Sequence, residues 1–232
     1  MLSNSISEYY SVVMKSVREI RFSNGGHMFA VGVGNCSHIY NFYTAENPPN
    51  LQCKGHGGKI MNIDWFEDDS GFVDCCVQGK VFFYDLQLQM SEMKRITDKD
   101  FSRRNTSING VVNIPGMTNR ALVVSAERKV FDSNDQINGC DTRFNVSQVQ
   151  VLANGKAFFC GMGETGHPGA VQIWKFPMEQ LSEVQAHGAP IERMRLSYNN
   201  DWLFTAGRDC CLMIHEVKDK DPRGGLVRRD RD

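Results

Sequence analysis

No apolar run in this 232-residue sequence approaches the roughly twenty residues that a membrane-crossing helix needs. The first residues, Met1-Leu2-Ser3-Asn4-Ser5-Ile6-Ser7-Glu8, carry neither the basic nor the apolar part of a secretory signal. A membrane or exported protein is therefore not expected. Excess charge of one sign is also missing: Lys plus Arg total 26 and Asp plus Glu 27, a net charge of −1. A dedicated nucleic-acid binder would show a strong basic excess. No cysteine pair has the two-to-four-residue spacing through which one turn presents two sulfurs to zinc. Nor does any segment hold a 3.6-residue apolar period over three turns, so a helical class is excluded.

What is present is an ordinary globular composition, 41% apolar and 23% charged, in a chain long enough to bury a core without disulfides or metals. The eight cysteines are Cys36, Cys53, Cys75, Cys76, Cys140, Cys160, Cys210 and Cys211. Neighbouring residues of a strand point to opposite faces, so the doublets 75–76 and 210–211 are not expected to share an ion. All eight read as reduced, mostly buried small hydrophobes of an intracellular protein.

One pattern recurs along the chain: an apolar residue, a second three later, a third two after that, then a polar turn. Its copies are Val17, Ile20, Phe22; Ile60, Ile63, Trp65; Asn109, Val112, Ile114; Val146, Val149, Val151; and Ile191, Met194, Leu196. The starts step by 43, 49, 37 and 45 residues. Short β-forming runs follow each turn, at Met28–Val31, Phe72–Val77, Ala121–Val124, Ala157–Cys160 and Trp202–Thr205. Runs of this length between Gly, Asn and Asp turns predict antiparallel strands. The class is all-β, and a period near 43 with several strands per unit is that of a WD-repeat β-propeller with about five blades.

The dipeptide Gly55-His56 opens one unit that closes on Tyr84-Asp85, and Ala186-His187 opens the last, which closes on Ile214-His215. In such a blade the loop histidine bonds an aspartate in a tight turn, and a strand hydroxyl and an inner ring complete a buried polar chain. The last unit offers nearly the whole set as His187, Thr205, Asp209 and His215. In the His56 unit the aspartate position falls on Gln78, and the chain of bonds is expected to be incomplete. The structural blade residues predicted are thus His56, Tyr84, Asp85, His187, Thr205, Asp209 and His215.

Chemical alternatives fail on context. Gly161-Met162-Gly163-Glu164-Thr165-Gly166 matches the dinucleotide fingerprint in letters, but His167-Pro168-Gly169 and the strand Val171–Trp174 follow it where a helix must supply the phosphate cradle. His187, Thr205 and Asp209 have the residue types of a nucleophilic triad, but the blade reading accounts for all three, and no oxyanion hole is evident. No catalytic, cofactor or metal site is expected. The other histidines, His27, His38 and His167, show neither a helical zinc spacing nor a close carboxylate pair and read as solvated. The charged stretch Leu86–Arg104, with Met90 and Met93, reads as a long surface loop, either for docking or as a plain connector.

Several segments resemble the cilia- and flagella-associated protein fifty-seven family. They are Val184–Ile191, Asp209–His215, Lys218–Gly225 and, near the front, Ile20–Ala30. The similarity runs collinearly over about residues 15–226, with only the pattern matching around 86–145. Members of that family are axonemal, with two tandem WD-repeat propellers and a long coiled coil, and they help attach inner-arm dyneins to doublet microtubules. The resemblance implies a non-enzymatic scaffold in the axoneme of a cilium or flagellum. Its partners would be inner-arm dynein, regulatory-complex subunits and the doublet microtubule, with no nucleic acid, membrane, small-molecule substrate or cofactor. Rings of this type usually close with seven blades, so the chain is expected to be an incomplete part of a larger propeller, with blades over 1–217. Residues 218–232 form a charged tail, a possible entry to a missing coiled coil. The competing reading is a soluble WD-repeat adaptor of ubiquitin, vesicle or RNA machinery, because fold does not fix function.

Overall fold

The computed structural model describes residues 11–44, 51–86, 93–100, 107–117, 120–176 and 178–218. These residues form nineteen strands and no helix. The chain divides into two compact units, 1–113 and 114–232.

The first unit holds two four-stranded sheets. One runs in the order β1 (Val17–Phe22), β2 (Met28–Val33), β3 (Cys36–Asn41) and β4 (Leu51–Cys53). The other runs β5 (Ile60–Trp65), β6 (Gly71–Cys76), β7 (Lys80–Leu86) and β8 (Met93–Asp100), and β9 (Ile108–Asn113) ends the unit. The second unit opens with β10 (Ala121–Ser125), β11 (Lys129–Asp132) and β12 (Asp135–Asp141). A four-stranded sheet follows, β13 (Val146–Val151), β14 (Ala157–Met162), β15 (Gly169–Lys175) and β16 (Glu179–His187). The last sheet has three strands, β17 (Ile191–Leu196), β18 (Trp202–Gly207) and β19 (Leu212–Glu216). Each of these sheets is an antiparallel meander that pairs strands in sequence order.

The recurring apolar triplet lies on the first strand of each repeat. Ile60, Ile63 and Trp65 are buried on β5, and Ile191 and Met194 on β17. In the third copy the register differs from the expected one. Ile108, Val111 and Asn113 face inward, one residue ahead of Asn109, Val112 and Ile114. The doublet Val111-Val112 permits either alternation, and a one-residue slip exchanges the two faces of a strand. The choice is made by β5, whose Asn62 and Asp64 side chains accept the N–H groups of Val111 (3.2 Å) and Asn113 (2.8 Å). A second correction concerns Leu86–Arg104. Met93–Asp100 is the outer strand β8, hydrogen-bonded along β7, and not a loop. Residues 87–92, which include Met90, and 101–104 lie outside the described residues.

A bulge recurs after the first residue of β1, β5, β13 and β17, where it adds local twist. The following turns share one geometry. Gly26, Asp69, Gly155 and Asn200 each donate an N–H to the carbonyl three residues back and take a left-handed conformation, φ 56–72°. This is a type I turn with a left-handed residue after it, and it matches the twist of antiparallel neighbours. The third copy uses Pro115-Gly116 instead, with Gly116 at φ 77°, as a type II turn requires.

Apolar side chains fill the space between neighbouring sheets within each unit. Met28, Ala30 and Ile39 of the first sheet meet Ile60, Ile63, Trp65, Phe72 and Tyr84 of the second. In the other unit Phe159, Val171 and Ala186 meet Ile191, Met194 and Leu203. Turns join the same pairs of sheets: Asp69 accepts the N–H groups of Asn24 and Gly25, both at 2.7 Å, and Asn200 accepts that of Ala153 at 3.3 Å.

Candidate functional site

The residues singled out around the last sheet meet in one chain of polar contacts, in which His187 and Thr205 are buried and Asp209 and His215 half-buried. His187 ends β16, and Thr205 lies in the middle of β18, with its side chain inaccessible to solvent. His187 Nδ1 faces both oxygens of Asp209, at 3.0 and 3.1 Å, and its Nε2 lies 2.9 Å from Thr205 Oγ1. Thr205 Oγ1 is in turn 3.3 Å from His215 Nε2 on β19. Asp209 also accepts the N–H groups of Gly188 (3.0 Å) and Cys211 (3.1 Å). Partial burial alone would raise its pKa, but the backbone donors Cys211 and Gly188, with His187, outweigh that and hold the carboxyl below its usual range. Burial, and then the neighbouring His187 charge, lower the pKa of His215.

Gly207 leaves the room this arrangement needs. A Cβ there would stand 2.7 Å from His187 Nδ1 and 2.8 Å from Asp209 Oδ1. Beside it, the thiol-bearing Cys210 occupies the left-handed corner of the turn at φ 61°.

The second sheet solves the same problem differently. Tyr84 is buried in the apolar cluster beside Phe72, and Asp85 lies half-buried opposite Gly71. The partner of His56 is Asp74, with Nε2 2.6 Å from Oδ1 and both side chains fully buried. Ser37, on β3 of the first sheet, donates its hydroxyl to the other Asp74 oxygen at 2.6 Å. The His56 ring stacks on Phe82 with centroids 4.1 Å apart. Burial alone would lower the His56 pKa, but the hydrogen bond to Asp74, then the Cys76 thiol and the Asp74 charge, push it up to about 9.

At the Gln78 turn the chain is incomplete: Asp74 meets His56 on Nε2, where Thr205 meets His187, and the buried His56 Nδ1, the atom that in His187 faces the turn aspartate, has no carboxylate partner among the described residues. Asp74 and Ser37 are the residues that sequence reading missed. One signal could have found Asp74, because His56 and Asp74 are 18 residues apart, as are His187 and Thr205. Ser37 carries no comparable signal, since only the packing of two sheets brings it to Asp74.

Other expectations are placed as follows. The glycine stretch 161–166 runs from the end of β14 into a turn before β15, with Gly166 at φ 85° and no helix after it. Two cysteines depart from the buried reading: Cys210 and Cys211 are exposed, while Cys53, Cys75, Cys76, Cys140 and Cys160 are buried and Cys36 is half-buried. Cys210 sits in a turn, so strand alternation does not separate its thiol from that of Cys211. His167 is exposed and stacks on Phe144 at 4.4 Å. His27 lies 4.0 Å from Asp69. No cluster of three or more metal-ligating side chains occurs among the described residues.

Comparison with known proteins adds three findings. The model of the family described as WD domain, G-beta repeat, matches residues 178–216. Cilia- and flagella-associated protein 57 A of Tetrahymena thermophila is 30% identical over 95% of this chain and 20% of its own length, and form C of the same organism 30% over 90% and 17%. The mouse (Mus musculus) cilia- and flagella-associated protein 57 is 28% identical over 100% of this chain and 18% of its own length. The chain thus spans about one fifth of the curated relatives it matches. Among solved structures, the β-propeller domain of Cps50 (Swd1) from Myceliophteria thermophila superposes with a TM-score of 0.77 at 17% identity, covering 97% of this chain and 70% of that one. That likeness establishes a β-propeller fold.

Proposed function

We propose that this chain, a homologue of the WD-repeat part of cilia- and flagella-associated protein 57, is a non-enzymatic interaction scaffold of the cilium or flagellum. Within the axoneme it helps to attach or regulate inner-arm dyneins on doublet microtubules, through contacts with dynein and regulatory-complex subunits. Residues 1–217 form the propeller blades that carry this work. Residues 218–232, of which 219–232 lie outside the described residues, are a charged tail.

The observation that carries this reading is identity near 30% sustained over 90–100% of the chain with ciliary relatives. The structural neighbour, at 17% identity, supports only the fold. A scaffold also suits the geometry. The polar groups that a triad would need are used inside the blade, with the Thr205 hydroxyl fully buried between His187 and His215 and closed to any substrate. In our reading His187, Thr205, Asp209 and His215 fix the last blade, and His56, Asp74 and Ser37 fix the second to the first. Tyr84 serves the core, and the loops at the blade edges carry the partner contacts.

Detergent extraction of cilia carrying a tagged copy tests the proposal. The protein should stay with the doublets, and should be lost from axonemes that lack inner-arm or regulatory subunits. Release with the soluble fraction would point instead to an adaptor outside the axoneme.

A further inference from the structure

We propose that Cys210 and Cys211 form a redox-responsive vicinal dithiol, oxidised by small-molecule disulfides and coupled through the turn backbone to the buried His187. All eight cysteines are free, and these two are the exposed ones. Desolvation holds the pKa of Cys75 and Cys160 well above the ordinary thiol value, which keeps them protonated and inert. No such burial protects the 210–211 pair.

The turn itself is unusual. Gly207 donates its N–H to the Cys211 carbonyl and Cys210 donates to that of Gly207, both at 3.2 Å, so the loop is tightly closed. Its corner, at φ 61°, is held by Cys210, where glycine would be free of strain. The two thiols lie on this one turn, with Cys210 Sγ 4.0 Å from the Arg208 carbonyl and Cys211 Sγ 3.6 Å from that of Asp209.

The chemistry is thiol–disulfide exchange. One thiol loses its proton to solvent, and its sulfur attacks the small disulfide, forming a mixed disulfide and expelling one small thiolate. The second protein thiolate then attacks the protein-borne sulfur of that bond and expels the other. Two protein S–H bonds are replaced by one S–S bond, and the small disulfide is reduced to two thiols. Neighbouring Cα atoms are about 3.8 Å apart, short of the roughly 4.4–6.8 Å that ordinary disulfides span. The ring is therefore strained and readily reduced again, as regulatory disulfides are.

Closure of the ring reaches the blade interior. The Cys211 N–H donates to Asp209 Oδ1, the same oxygen that faces His187 Nδ1. Drawing the two sulfurs together rotates the 210–211 peptide, pulls that N–H from Asp209 and loosens the anchor of His187.

The test uses the full chain with oxidised glutathione. After free thiols are alkylated, trypsin cleaves at Arg208 and Lys218 and isolates residues 209–218, which contain these two cysteines and no other. The peptide should lose two hydrogen atoms at least roughly tenfold faster than Cys75 or Cys160 reacts. The melting temperature should fall, and dithiothreitol should restore both. Cys210→Ser and Cys211→Ser, each keeping the unoxidised melting temperature, should instead hold a single persistent glutathione adduct. Two stable adducts on the wild-type peptide, an unmodified peptide, or a ring-closed form with unchanged melting temperature would each overturn the proposal.

Discussion

His56 and Asp74 face each other across 2.6 Å in the second sheet, at the same 18-residue separation that joins His187 to Thr205 in the last. Position for position along β6 and β18, Asp74 stands where Thr205 stands and Cys76 where Gly207 stands. The carboxylate that the last sheet keeps on its turn has moved onto the strand, and a thiol fills the space left open by Gly207. This places a buried ion pair, tied to the neighbouring sheet by Ser37, where the last sheet has a neutral hydroxyl.

That exchange makes stability depend on pH in a definite direction. The folded pKa of His56 is about 9, above the ordinary 6.5, so the folded state binds the proton more tightly. The stabilisation is fully present below about 6.5 and is lost as pH rises through 9. It amounts to something on the order of 2–4 kcal/mol. Thermal melts should show the midpoint falling between these pH values in the wild type and a flatter profile in Asp74→Asn. A midpoint that rises over this range would mean that His56 is neutral in the fold.

Removal of the carboxylate altogether should be severe. Asp74→Ala leaves the buried His56 and the Ser37 hydroxyl without their partner, a change that typically costs about 3–5 kcal/mol. In a cycle with His56→Ala the double variant should lose less than the two single losses combined. Denaturant melts that give additive losses would separate the two side chains energetically.

Gly207 is expected to tolerate no side chain. Its added Cβ would press on His187 Nδ1 and Asp209 Oδ1, and Gly207→Ala should cost about 1–3 kcal/mol, the range of core overpacking. Gly188→Ala is the matched control, since none of the described residues lies within 4 Å of its added Cβ. Equal melting temperatures for the two variants would disprove the tight fit.

Thr205→Val keeps shape but removes the hydroxyl that both His187 and His215 face. With His187 buried, the stranded nitrogen should cost about 1–3 kcal/mol in denaturant melts. Thr205→Ser, which retains the hydroxyl, should recover most of it. Failure of serine to rescue would assign the effect to the lost methyl packing.

If the proposed axonemal attachment holds, it should resist salt. With a net charge of −1 and no run of five basic residues, the chain lacks the charge to be held on an acidic surface. Tagged protein should therefore remain through high-salt washes of demembranated cilia. Salt-sensitive binding of the purified chain to bare microtubules would contradict this and indicate direct electrostatic attachment.

The all-β class, the five repeats and the polar set of the last sheet were legible from sequence, because each rests on local periodicity or on turn chemistry. Residues such as Asn24-Gly25-Gly26 and Asp68-Asp69 mark turns whatever surrounds them, and Thr205, Asp209 and His215 fall within the single hairpin of β18 and β19, with His187 just ahead of it at the end of β16. Three features were decided only by the tertiary structure. The register of β9 depended on Asn62 and Asp64 of another strand, since Val111-Val112 fits both alternations. The strand β8 is charged and shows no apolar alternation, and only its pairing with β7 defines it. Ser37 reaches Asp74 across 37 residues of sequence because two sheets pack face to face. A partner such as Ser37, supplied from a distant strand without a motif of its own, leaves no trace in the periodicity of the chain that receives it.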